Sequence, residues 1–329
     1  GQPVSVFAQD GAAPGGDGVA AVAPAAAMPA AAPVEPAPAP QATPAPAQPE
    51  AAPAAAQPAA VAGVQGAGGV APDPATLAPQ VYLPARQGSL QLELVAATRR
   101  AGRLPYVLAG EPRALLAELQ AGRPVLVLQN LGTPQVPVWH YAVLTGFDAA
   151  PNRLYLNSGS ERDLPVRAPQ FLRTWEWAGR WAMVALKPGE LPAGADPARY
   201  LETATAFERV ADRDAATRAW QAAADAWPEQ PLPPLALGNL AYRDKAPARA
   251  AAHYRDGLAR NPDDPALANN LASVLGALGC PRRAEALLQP VARRLADDSP
   301  WKATIEATLQ ELGALTGMDE LSCDAMPQP

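Results

Sequence analysis

Soft metal ligands are scarce in these 329 residues, which contain two histidines, His140 and His253, and two cysteines, Cys280 and Cys323. That scarcity argues against a His/Cys metal centre. The cysteine spacing matches no zinc or redox pattern, so both are expected to be ordinary thiols. No apolar stretch reaches the roughly 18 residues that a membrane-spanning helix needs. Basic residues are outnumbered by acidic ones, 26 to 32, and form no stripe. Nucleic acid and anionic membranes are therefore poor candidate partners. Also missing are a Gly-rich phosphate loop with its lysine, a serine nucleophile elbow and a pair of histidines on one helix. No cofactor is expected.

Proline, by contrast, is abundant, at forty residues. Residues 11 to about 57 are mostly alanine and proline. Proline fixes φ and removes a backbone donor, so this stretch cannot run as a helix or a central strand. Alanine offers too little apolar area to offset the ordering entropy. Residues 1–55 are expected to form a disordered, partly extended tether. A second origin fits the same composition, since misread GC-rich coding DNA also yields Ala/Pro/Gly strings.

The texture changes from about residue 74. Ser89 can cap a helix carrying Leu90, Leu94, Ala97 and Ala101 on one stripe. A second helix is expected from Pro112, burying Leu115, Leu116 and Leu119 and stopping at Gly122. Pro124-Val-Leu-Val-Leu-Gln-Asn130 reads as a buried strand. After a Pro-rich loop, Trp139-His-Tyr-Ala-Val-Leu-Thr-Gly-Phe147 reads as another, with His140, Ala142 and Leu144 on one face. Leu154-Tyr-Leu-Asn157 returns as its hairpin partner, and Trp181–Leu186 closes the region. Helices followed by an antiparallel meander predict an α+β domain. Asp148, Glu161 and Asp163 fall in turn-like sequence and read as solvated. Trp175, Trp177 and Trp181 read as core.

Residues 197 to 300 repeat. Trp227-Pro228 and Asn261-Pro262 stand 34 residues apart, the period of tetratricopeptide hairpins. In that register Ala216, Ala250 and Ala284 align at the small crossing position. Trp220, Tyr254 and Leu288 align at the large apolar one. Leu237 aligns with Leu271, and Gly238 with Ala272. Such hairpins bury their apolar stripes only against one another. Residues 197–316 are expected to form the array, with a capping helix from Trp301 and a tail over 317–329. Its partner is expected to be a protein or peptide.

Trp139-His-Tyr-Ala-Val-Leu-Thr-Gly-Phe-Asp148, preceded by Pro79-Gln-Val-Tyr-Leu-Pro-Ala-Arg-Gln-Gly-Ser-Leu-Gln91 and Pro124–Asn130, resembles papain-like cysteine peptidases of the bacteriocin-leader-processing type. It looks in particular like a bacterial subgroup in which that domain precedes tetratricopeptide repeats. The resemblance covers about residues 56–300. It implies a papain-like α+β domain over 56–188 and a linker over 189–196. It also implies a thiol nucleophile at the start of the first helix, with His140 as general base. The slot of the group that orients the histidine falls on Ser158, with Asn157 beside it, although strand alternation turns Asn157 to the other face. Ala56-Gln-Pro-Ala-Ala-Val-Ala-Gly-Val64 matches the family's Cys-Gly-Pro-Ala-Ala helix start, with Ala56 in the cysteine slot. Gln9 matches the oxyanion-donating glutamine, and Gln48 matches it less well.

A methyl group cannot attack a carbonyl. The expected function is a non-catalytic, peptidase-like domain coupled to a protein-binding repeat module. The alternative is an active thiol peptidase whose N-terminal segment is misrepresented, with a cysteine where Ala56 stands. The sequence opens at Gly1 without an initiator methionine or a leader. Localisation is therefore unread, and a removed leader would point to a bacterial cell envelope.

Overall fold

The computed structural model describes residues 90–315. The expectations placed on Gln9, Gln48, Ala56, Ser89, the Pro/Ala stretch, Cys323 and the tail lie outside the described residues.

Helix α1 (Gln91–Arg100) buries Leu94, Ala97 and Thr98. Leu90 occupies its N-cap in extended conformation, and Ala101, beyond its end, is exposed. A strand not foreseen from the sequence follows, β1 (Leu104–Val107). Helix α2 (Pro112–Gln120) starts on proline and ends just before Gly122, whose φ of 74° suits glycine. The remaining strands are β2 (Val125–Asn130), β3 (Trp139–Asp148), β4 (Arg153–Ser158), β5 (Glu161–Arg167) and β6 (Ala182–Leu186). Helix α3 (Ala168–Glu176) lies between β5 and β6 in the chain. The order "helices, then meander" is thus corrected: β1 comes between the two helices and pairs with the last strand. Glu161 and Asp163 lie on β5 rather than in a turn.

The six strands form one antiparallel sheet in the order β1-β6-β2-β3-β4-β5. Every residue of the inner strand β2 is buried, which is why its sequence is apolar on both faces. On one face Val125, Val127, Ala142, Leu144 and Leu156 pack with Leu115, Phe171 and Trp175. On the other, Leu126, Leu128, Tyr141, Val143 and Met183 pack with Leu94 and Ala97 of α1. Trp175 is fully buried and stacks on Phe171, its ring centroid 6.0 Å away. Trp181 meets the edge of Tyr141, while Trp177 lies under the Arg173 guanidinium.

The chain between β6 and the next helix is held in place. The carboxylate of Glu118, fully buried, accepts from Ala193 N at 2.7 Å and from Arg123 Nε at 2.5 Å. Asp196 N donates to Tyr106 Oη, and the Arg199 guanidinium donates to the carbonyl of Val107.

The helical array consists of α4 (Pro197–Glu208), α5 (Arg213–Ala226), α6 (Leu232–Arg243), α7 (Pro247–Arg260), α8 (Pro265–Ala277), α9 (Pro281–Arg294) and α10 (Lys302–Leu315). Asp196, Asp212 and Asp264 cap α4, α5 and α8 by accepting from the backbone N–H three residues on. Ala216, Ala250 and Ala284 are buried, as are Trp220, Tyr254 and Leu288 four residues after each. At Gly238 an added Cβ would fall inside the ring of Tyr254, so glycine is what lets α6 and α7 cross so closely. Some buried polar groups pair across the array, while Asn269 Nδ2 and an Arg255 guanidinium nitrogen are buried without a hydrogen-bond partner among the described residues. The Tyr254 hydroxyl and Asn270 Nδ2 both donate to Asn239 Oδ1, and Asn269 bonds Thr308 of α10. The fold is therefore an antiparallel sheet with helices, followed by an all-α array.

Cys280, at the N-cap of α9, is buried and disulfide-bonded. The expectation of an ordinary thiol is corrected there.

Candidate functional site

β2 and β3 pair so that Gln129 stands opposite His140. Strand alternation puts both on the face that carries Val127 and Ala142, toward α3. His140 is 8% exposed. Its Nε2 lies 2.8 Å from Ser158 Oγ, at the end of β4. Its Nδ1 has no hydrogen-bond partner among the described residues. Burial pushes the imidazole pKa below its ordinary 6.5, so the ring is neutral at pH 7. A neutral ring with one nitrogen held and the other unengaged can accept a proton, provided a donor is brought to it.

Ser158 and Asn157 separate as alternation requires. Asn157 Oδ1 accepts from Asp163 N at 3.0 Å, at the sheet's edge strand. It does not share the hydrogen bond between His140 and Ser158. Asp163 also accepts from the Thr145 hydroxyl, and its φ of 49° marks an irregularity in β5. No carboxylate bonds His140 among the described residues. Nor, among those residues, do three or more His, Cys, Asp or Glu side chains gather where they could hold a metal ion.

Two polar residues beside the histidine were not singled out from the sequence. Gln129, 5% exposed, donates through Nε2 to Thr174 Oγ1 at 2.7 Å and so ties β2 to α3 beneath His140. Asn130, 1% exposed, shapes the β2–β3 connection. Its Oδ1 accepts from Gly132 N and Val138 N, at 3.0 and 2.9 Å, and its Nδ2 donates to the carbonyl of Thr133. A Cβ on Gly132 would overlap the carbonyl of Val136, so the loop closes only around glycine. The loop displays Leu131, Val136 and Val138 to solvent next to His140. The only sequence signal for this pair was two amides ending an apolar run.

The second candidate surface is the helical array. α8 is buried along most of its length, between its own hairpin partner and its neighbours. Charged side chains pair between the helices of the array: Glu208 accepts from the Trp220 indole and from Arg243, and Arg213 pairs with Asp244 across hairpins. No described helix is long and apolar enough to cross a membrane.

Comparison with known proteins bears on this array. A family model described as "Tetratricopeptide repeat" matches residues 241–307. Among solved structures, the chain resembles the type III secretion translocator chaperone SycD of Yersinia enterocolitica. The two are 16% identical with a TM-score of 0.34, over 37% of this chain and 86% of that one. No curated protein matches the chain. Residues 241–307 of the helical array thus carry tetratricopeptide repeat sequence, a type of stacked hairpin whose surfaces commonly serve protein–protein contact.

Proposed function

We propose that this protein binds a polypeptide through its repeats and carries beside them a cysteine-peptidase-like domain that does not hydrolyse peptides. The observation that supports the peptidase-like reading is the state of His140. Its imidazole is neutral at pH 7, Nε2 engages a side chain on the neighbouring strand, and Nδ1 is unengaged among the described residues. A general base for a thiol needs that arrangement. What speaks against turnover is the residue in the nucleophile slot. Ala56 offers a methyl group, and Ser158 offers the histidine a hydroxyl where a carboxylate would stabilise the imidazolium better.

The second reading, an active thiol peptidase, is favoured by one specific feature. The Ala56–Val64 stretch keeps the family's Pro-Ala-Ala at the helix start, with Ala56 for the cysteine and Gln57 for the glycine, and it follows a long Ala/Pro string of the kind misread DNA produces. Resequencing the DNA that encodes residues 10–70 separates the two readings.

The Ala56→Cys variant tests the site itself. A thiol at a helix start, near a neutral imidazole, ionises below its ordinary pKa. Ala56→Cys should take up iodoacetamide at pH 6 at least about tenfold faster than an unperturbed thiol, and adding His140→Ala should abolish that advantage. Alkylation that is fast with or without His140 would overturn the slot assignment.

A further inference from the structure

Successive hairpins carry a small polar residue at the same place on their first helix. Thr205 of α4, Asn239 of α6 and Ser273 of α8 stand 34 residues apart in turn, and each is half-buried. They are neighbours in space as well as in register. Asn239 bonds Asn270 of α8, and Ser273 lies one helical turn further along that helix on the same side. Glu208 pairs with Arg243 about one turn beyond Thr205 and Asn239, which holds α4 to α6 at that level.

The hydrogen-bonding capacity of the three residues is only half spent. Asn239 Oδ1 accepts from the Tyr254 hydroxyl at 2.7 Å and from Asn270 Nδ2 at 3.0 Å, which fixes the direction of its amide. Asn239 Nδ2 has no hydrogen-bond partner among the described residues. The Thr205 hydroxyl donates its one proton to the carbonyl of Leu201, and the Ser273 hydroxyl donates to that of Asn269. Both oxygens can then only accept. The row therefore reads acceptor, donor, acceptor. Helices packed side by side lie about 8–10 Å apart, which is roughly three residues of extended chain.

We propose that Thr205, Asn239 and Ser273 hold the main chain of an extended polypeptide laid across the first helices. Asn239 Nδ2 donates to a peptide carbonyl, and the two hydroxyls accept from peptide N–H groups. A main chain offers both kinds of group along its length, which matches a row of mixed donors and acceptors. None of the three positions is charged, so the row selects exposed, unfolded backbone rather than a charged side-chain sequence. The inference rests on the reading that the repeats bind polypeptide, and it names the part of the polypeptide they grip.

The test passes a library of random-sequence peptides over the immobilised full chain and measures the retained peptides by fluorescence anisotropy. Asn239→Asp keeps an oxygen for Tyr254 and Asn270 but loses the N–H donor. It should weaken binding of the retained peptides at least about tenfold. Thr205→Val exchanges a hydroxyl for a methyl and Ser273→Ala removes one; each should weaken binding about threefold. Replacing the peptide amides one at a time by esters should locate a group whose change costs affinity in the wild type and nothing further in Asn239→Asp. Affinity should change little between about 50 and about 500 mM salt. Retained peptides that are indifferent to all three variants, or whose binding salt abolishes, would overturn the inference and leave peptide binding by the chain standing. A library from which the wild-type chain retains nothing would overturn both.

Discussion

At His140, burial holds the folded-state pKa below 6.5, and it does the same at His253. The unfolded chain therefore binds more protons than the folded one once the pH falls below about 6.5. Stability rises with pH wherever the unfolded state is the more protonated. Each histidine thus costs stability as the pH drops from 6.5 through its folded pKa, and neither does so above pH 7. The denaturation midpoint in urea should fall between pH 7 and pH 5.5. In His140→Gln the fall should shrink to the share due to His253. A slope unchanged in that variant would mean that His140 titrates normally. Gly238 carries a different constraint. Gly238→Ala places a methyl group inside the Tyr254 ring. The cost of overpacking is about 1–3 kcal/mol, readable as a lower urea midpoint at constant m-value. His140 could be picked out in the sequence because its flanking residues form a recognisable run. Gln129 could not, because its partner Thr174 lies 45 residues away, on another element. Local pattern does not report such a pair.

At the level of elements, legibility followed burial. β2, β3, β4 and β6 are inner strands whose apolar runs or alternation stand out. β1 and β5 were missed, and they are the two edges of the sheet. Edge strands tolerate proline and charge because one side of their backbone needs no partner. Leu104-Pro-Tyr-Val107 and Glu161-Arg-Asp-Leu-Pro-Val-Arg167 contain both kinds of disguise. The helical hairpins were legible because each repeat buries the same positions against the next, so the period of 34 is imposed by packing. The β2–β3 loop was not legible, since its order comes from a single buried amide. Asn130→Ala removes three hydrogen bonds from that loop. Amide exchange at Gly132 and Val138 should then accelerate while the centres of β2 and β3 stay protected. The expected loss of stability is about 1–3 kcal/mol. Unchanged exchange at Val138 would show that other interactions fix the loop.

Taken whole, the molecule has no slack between sheet and repeats. Tyr200, Phe207, Ala216 and Trp220 share one core with Leu104, Tyr106 and Leu186, and Glu118 fastens the intervening segment. The repeats therefore share one packed core with the sheet that carries His140. The α+β character and the repeat array followed from local pattern. Which residues meet around His140 did not, because that depends on a sheet order in which the last strand inserts between the first two. The central claim is that the unmodified chain holds polypeptide without cutting it. The most direct measurement is incubation of the purified protein, and of its His140→Ala variant, with a complex peptide library at neutral pH, reading new peptide termini by mass spectrometry. The claim predicts the same background of termini for both proteins. Termini produced by the unmodified chain and absent with His140→Ala would contradict it.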